Sequence, residues 1–240
     1  MTESIAANLI RVRARLAEAA LRVGRDPAAV TLVAVSKTFP AAAARAAWEA
    51  GQRDFGENRV EEALPKLAEL GALDGARWHL IGHLQSRKTN DFGGEFALIH
   101  SVDSLRLATR LSARAVAQAR RQDILLECNV SGEASKDGFP VTGWERDAVT
   151  RDAFLAQVRT LRDLPGVRVR GLMTMAPIVA TSAEARPFFA SLRALRDQLR
   201  EALDGHDAPI LSMGMSDDFE AAIAEGATHI RVGRAIFGTR

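Results

Sequence analysis

The stretch Thr31-Leu32-Val33-Ala34-Val35-Ser36-Lys37-Thr38-Phe39-Pro40 decides how the whole chain is read. Leu32 to Val35 are apolar without alternation, the pattern of a parallel strand that is covered on both faces. The run ends abruptly in Ser-Lys-Thr, and the helix-like segment Ala41 to Ala50 follows Pro40. An open dinucleotide-binding sheet would carry a glycine-rich turn after its first strand. Here that turn is Ser36-Lys37-Thr38-Phe39-Pro40.

Outward from this unit the rhythm repeats. Apolar runs occur at Thr31 to Ser36, Arg53 to Phe55, Trp78 to Ile81, Ala97 to Ser101, Ile124 to Val130, Val167 to Leu172, Ile210 to Ser212 and His229 to Val232. Between them lie helix-like segments at Ala41 to Ala50, Glu57 to Leu70, Asp103 to Arg121, Trp144 to Leu161, Ser182 to Leu203 and Ser216 to Glu225. Alternating β and α predicts a parallel sheet, and eight such repeats predict an α/β fold closed as a (β/α)8 TIM-type barrel. An extra N-terminal helix precedes it, Glu3 to Val23, with Ile5, Leu9, Val12 and Leu16 spaced by three or four and Thr2 as its expected cap. No Gly/Ser-rich linker or break in composition interrupts residues 1–240, which are read as one domain.

Composition excludes several classes. The 240 residues are 47% hydrophobic and 26% charged, enough for a large core and against disorder. Lys plus Arg number 32 against 30 Asp plus Glu, with no long basic run, so no nucleic-acid partner is expected. The lone Cys128 excludes an internal disulfide or a cysteine cluster for zinc, and it reads as a core thiol. No secretory leader pattern and no apolar stretch of membrane-spanning length are seen, so a cytoplasmic, membrane-free protein is expected.

In a barrel, chemistry sits where strands end. Those ends carry Lys37, Gly56-Glu57-Asn58, His83-Leu84-Gln85, Asp103, Asn129, Thr174, Met213-Gly214-Met215-Ser216 and Gly233-Arg234. Two readings of Lys37 stand side by side. Poor hydration after a buried run lowers an amine's pKa and favours attack on a carbonyl; alternatively, the head reaches the rim and pairs with a carboxylate. Gly214, Ser216 and Gly233 resemble a phosphate-binding set of backbone N–H groups and one hydroxyl, or simply two tight turns. His79 and His83 are spaced for a helical metal site but fall in a strand-like run without an HExxH pattern, which favours packed or rim histidines. Glu57 and Asp103 are acid or base candidates without an assigned partner, and Met173 with Met175 reads as packing.

Taken together, LVAVSK (Leu32 to Lys37), FGEN (Phe55 to Asn58), HLIGHLQSRK (His79 to Lys88), SVDS (Ser101 to Ser104), SGEASKDG (Ser131 to Gly138), GLMTMAP (Gly171 to Pro177), LSMGMSDD (Leu211 to Asp218) and RVGRAIFG (Arg231 to Gly238) resemble the pyridoxal phosphate homeostasis protein family. The motifs span nearly the whole chain. The resemblance implies a barrel like the N-terminal domain of alanine racemase, with pyridoxal 5′-phosphate (PLP) as cofactor and Lys37 as its covalent Schiff-base residue. It implies that Ser216, Gly233 and the backbone of Arg234 hold the phosphate, and it places Asn58, His83, Met213 and Arg231 around the ring. Two positions depart from the pattern: Arg234 stands where Ser or Thr is usual, and Arg59 follows Asn58 where Tyr is expected.

Turnover is not what the resemblance favours. The two-base racemase mechanism needs a tyrosine contributed with a C-terminal β domain, and the 240 residues contain no Tyr and stop where that domain would begin. A permanent Arg231 cation facing the pyridine nitrogen disfavours its protonation and weakens the ring as an electron sink. The expected role is a PLP carrier in PLP homeostasis, monomeric or weakly dimeric, with apo PLP-dependent enzymes as recipients. The alternatives are a PLP enzyme with weak racemase-like activity on amino acids, and a barrel enzyme whose Lys37 takes a carbonyl substrate without PLP.

Overall fold

The computed structural model describes residues 4–179, 181–202 and 208–239. Its elements run α1 (Ile5–Arg22), β1 (Thr31–Val35), α2 (Ala41–Glu49), β2 (Asp54–Glu57), α3 (Val60–Leu70), β3 (Arg77–Leu80), β4 (Leu98–Val102), α4 (Leu105–Ala117), β5 (Gln122–Asn129), β6 (Phe139–Pro140), α5 (Ala148–Arg162), β7 (Val167–Met173), α6 (Ser182–Ala202), β8 (Ile210–Ser212), α7 (Phe219–Ala224), β9 (His229–Val232) and α8 (Arg234–Phe237). The strands are parallel in the order β4-β3-β2-β1-β9-β8-β7-β5, and β5 also pairs with β4. That last pairing closes an eight-stranded α/β barrel, as the alternating pattern predicts.

Several boundaries differ from the sequence reading. Helix α1 starts at Ile5 and is capped by Ser4, whose Oγ accepts from Ala7 N at 3.2 Å. The expected cap Thr2 and start Glu3 lie outside the described residues. Glu57 ends β2 rather than opening α3, because it is buried and hydrogen-bonded there. Strand β6, a two-residue addition on the end of β5, and the one-turn α8 were not foreseen. Between β3 and β4 the crossover is a 3-10 turn, Ser86–Asn90, followed by the buried rings of Phe92 and Phe96.

Two apolar regions result. The larger lies between strands and helices, where Leu32, Ala34, Phe55, Leu80, Leu126 and Leu172 meet the helices. The smaller, Leu98, Leu125 and Met173 with Ile210 against it, fills part of the barrel lumen. The rest of the lumen is polar, and it underlies the site. A bulge in β7 skips Arg170 in the ladder with β5. The following Gly171 passes so close to β8 that a Cβ there would lie 2.0 Å from the Ile210 carbonyl oxygen. Among the described residues no helix is long and apolar enough to cross a membrane.

Candidate functional site

Lys37 leaves the end of β1 in a tight turn. Phe39 N donates to Ser36 O at 3.1 Å, and Thr38 has φ +66°. A β-branched residue holds that left-handed conformation only under constraint from its surroundings. The constraint lies behind the strand end. Ser36 Oγ donates to Glu57 Oε1 at 2.7 Å, and Lys66 Nζ donates to both Glu57 Oε1 at 2.7 Å and Ser36 O at 2.8 Å. All three residues are buried. Lys66 therefore ties α3 to the turn that carries Lys37.

In front of this turn lies a cavity of about 370 Å³, lined by Val35, Lys37, Phe39, Gly233, Arg234 and Gly238. At Gly233 a Cβ would press to 3.3 Å from Val35 O, so the absence of a side chain keeps the wall between β1 and β9 thin. Gly214 has φ +93°, and a Cβ there would meet Ala222 Cβ at 2.6 Å. That glycine lets the chain turn tightly from β8 toward α7, with half-buried Ser216 on the connecting loop. The exposed Arg234 guanidinium pairs with Asp217, bridging the two loops at the rim. The first turn of a helix leaves its N–H groups without helical acceptors, so the start of α8 offers donors beside the cavity.

Under the mouth lies Arg231, 5% exposed. Its Nη1 donates to Ser212 Oγ at 2.7 Å and its Nη2 to Thr174 O at 3.0 Å. Burial lowers its pKa to about 10, leaving it cationic at neutral pH. Glu127, also 5% exposed, projects inward from β5. Burial, reinforced by the Asp103 and Asp137 charges and opposed by Arg231, pushes its carboxyl up to about 7. Deeper in the lumen come His100, His79 and His229. Burial is the main force holding His100 well below the usual imidazole range and His229 at about 4, and neighbouring imidazoles and Arg231 add to it.

A second cavity on the same rim, about 510 Å³, is lined by Asn58, Arg59, His83, Leu84 and Lys88 among others. His83 Nδ1 lies 3.3 Å from Asp103 Oδ2 and 3.0 Å from Asp137 Oδ2. These three offer ligand atoms within 4.8 Å of one another, at a largely exposed place where a ring N–H and two carboxylates also satisfy each other. Asn58 packs against Gly82 so closely that a Cβ there would lie 2.4 Å from Asn58 O.

The structure thus brings Lys37, Gly233 and Arg234 to one cavity and Asn58 and His83 to its neighbour, with Arg231 beneath. Met213 does not join them: its side chain is wholly buried in the main core. His79 and His83 part company, one in the lumen and one on the rim, so they share no site. Sequence reasoning missed Lys66 and Glu127 as parts of the site, and placed Ser212 at a strand end without giving it a role. For Lys66 a signal existed, since a lysine occupies the buried face of α3 beside Ala63 and Leu70. Glu127 is likewise a lone acid within the apolar run Ile124 to Val130.

Comparison with known proteins identifies the family and the fold. Residues 4–240 match the family model "Alanine racemase, N-terminal domain". The chain is 47% identical over 237 residues to a pyridoxal phosphate homeostasis protein of Pseudomonas aeruginosa, covering 99% of this chain and 96% of that one. It is 40% identical over 243 residues to the protein of that name in Escherichia coli K12, covering 98% and 97%. Its fold superposes on PipY of Synechococcus elongatus PCC7942 with PLP bound, at a TM-score of 0.79 and 41% identity, covering 95% of this chain and all of that one. The chain belongs to the alanine racemase N-terminal-domain family, in its branch of pyridoxal phosphate homeostasis proteins.

Proposed function

We propose that this protein binds PLP as a Schiff base on Lys37 and serves PLP homeostasis, holding the cofactor and passing it to apo-enzymes without turnover of its own. The observation that carries the reading is the convergence of Lys37, Gly233 and Arg234 on one cavity above a buried, permanently charged Arg231. PLP supplies an aldehyde for an amine and a ring that accepts electrons. Lys37 provides the amine. The turn at Gly233, the backbone of Arg234 and the Ser216 hydroxyl provide donors for the phosphate. Arg231 stands toward the ring nitrogen and keeps it unprotonated, while Asn58 and His83 flank the ring from the neighbouring cavity. Met213 contributes packing behind the loop rather than contact through its side chain. The pairing of Arg234 with Asp217 directs that guanidinium along the rim, so the position needs no hydroxyl to close the site. The names of the relatives and the PLP in PipY support the reading. These 240 residues contain no Tyr, so none of them supplies the tyrosine base of the racemase mechanism. A cytoplasmic location and a monomer or weak dimer fit a carrier.

Visible absorption with added PLP, before and after borohydride, tests this in wild type and Lys37→Ala. An imine band that borohydride fixes in wild type and that is absent from the variant is expected. Equal binding by both proteins, or by neither, overturns the assignment. Exchange of amino-acid Cα hydrogen in deuterated water by the PLP-loaded protein would instead favour the weak racemase.

A further inference from the structure

We propose that Asp54, at the end of the barrel opposite the cavity, is a positioning residue for Arg231, acting through a one-way chain of hydrogen bonds along the barrel axis. The inference deepens the reading of Arg231 as the group beneath the bound ring and rests on it for the ligand-binding readout alone.

The chain is continuous. Ser212 Oγ lies 2.7 Å from Arg231 Nη1 and 2.8 Å from His100 Nδ1. His100 Nε2 lies 2.9 Å from His79 Nδ1, and His79 Nε2 lies 3.0 Å from Asp54 Oδ1. Arg77 holds the far end, its Nε donating to Asp54 Oδ1 at 2.7 Å and its Nη2 to Oδ2 at 2.6 Å. These residues come from strands β2, β3, β4, β8 and β9, and each points inward.

Its direction follows from what each group is able to do. A guanidinium only donates, so Ser212 Oγ accepts from Arg231. The hydroxyl hydrogen of Ser212 goes to His100 Nδ1, which is bare in the neutral tautomers that the Asp54 end requires. A neutral His100 carries its proton on Nε2 and donates to His79 Nδ1. The proton of a neutral His79 is then on Nε2 and goes to Asp54, an ionised carboxylate that only accepts. Asp54 stays ionised because the hydrogen bonds it accepts from His79 and Arg77 and the Arg77 charge beside it outweigh burial. His229 packs beside both rings, centred 6.2 Å from that of His79 and 6.1 Å from that of His100. A permanent donor at one end and a permanent acceptor at the other pin every link. Reversal would turn the bare Nε2 of a neutral His79 toward the Asp54 carboxylate, which has no hydrogen to give. With Nη1 and Nη2 committed to Ser212 and Thr174 O, the guanidinium is held in one orientation beneath the mouth.

Side-chain nitrogen NMR of the histidines and of Arg231 reads the chain directly, with PLP titration beside it. In wild type, His79 and His100 are expected as neutral Nε2–H tautomers with slowly exchanging protons. An Nδ1–H tautomer, or an imidazolium at His79, overturns the direction and the proposal. Asp54→Ala is expected to mix the tautomers, speed exchange of the Arg231 guanidinium protons and weaken PLP binding roughly tenfold, the low end of what losing an outer partner does at metal sites. Ser212→Ala, which cuts the chain next to Arg231, is expected to leave the His79 tautomer intact and weaken PLP binding to the same degree. The double variant is expected to be no weaker than Ser212→Ala. Fully additive losses, or unchanged Arg231 exchange in Asp54→Ala, sink the positioning role. If Asp54→Ala does not fold, wild type and Ser212→Ala decide: equal Arg231 exchange in the two overturns the proposal. Failure of wild type to take PLP at all overturns the proposed function instead, while the tautomer and exchange spectra still judge this chain.

Discussion

Lys66 Nζ and Glu57 Oε1 lie 2.7 Å apart with side chains 8% and 0% exposed, directly behind the turn that presents Lys37. Both charges were taken out of water, and each compensates the other. The Glu57 Oε2 atom is buried without a hydrogen-bond partner, so this carboxylate depends heavily on Lys66.

Lys66→Met is therefore expected to destabilise the protein by about 3–5 kcal/mol, the cost of stranding one member of a buried pair. Adding Glu57→Gln to that variant should recover part of the loss. Urea unfolding of the two single variants and the double variant measures this, and simple additivity would show that the two groups are not coupled.

The lumen histidines set an acid limit. His229 has a folded pKa of about 4 against an ordinary 6.5, so between these values the unfolded chain binds the extra proton. Stability then rises with pH across that window and falls as acid is added, by about 3 kcal/mol for this one group. Asp54, at about 2 against 3.8, extends the loss to lower pH, because its native hydrogen bonds and charges favour the ionised form despite burial. His229→Met should make the limb between pH 4 and 6.5 shallower, leaving the part due to His100, and keep the lower limb in place. Urea midpoints measured against pH would show it, and parallel curves would refute it.

Glu127 works in the opposite sense. Its folded pKa of about 7 exceeds the ordinary 4.5, so the folded state holds the proton longer. Stability falls as pH rises through that window, and the full cost, about 3 kcal/mol at most, applies above pH 7. Glu127→Gln should stabilise the protein at pH 8 and change little at pH 4. A variant whose effect is the same at both pH values would contradict the assignment.

Cys128 is 2% exposed, and burial holds its thiol in the protonated form. A disulfide reagent should leave it unmodified in the native protein and label it fully in urea. Rapid labelling without denaturant would mean that the end of β5 opens readily.

The strands and the lysine were legible because the signals are local. Leu32 to Val35 followed by Ser36-Lys37 announces a buried strand with a polar end, whatever surrounds it. The glycine turns at Gly214 and Gly233 are legible for the same reason, since a tight turn is written in two or three residues. The helix boundary at Glu57 was not legible: glutamate favours helices, and only the buried Lys66 and Ser36 make it a strand residue. The burial of the Met213 side chain was not legible likewise, because its position in the chain says it is near the rim but not which way its side chain turns.

Lumen and outer face could not be told apart from pattern, because parallel strands in this fold are buried on both sides and carry no clean alternation. Asp54, His79, His100, Ser212 and Arg231 are scattered over nearly 180 residues, and nothing in the chain links them until β4 meets β5. The sequence by itself determined an eightfold α/β repeat with an amine at the end of its first strand, since both follow from short-range patterns of burial and turn. The tertiary structure alone decided the barrel's inner chain of polar groups and the pairing of Arg234 with Asp217, since both depend on which side chains closure of the sheet brings within hydrogen-bonding distance.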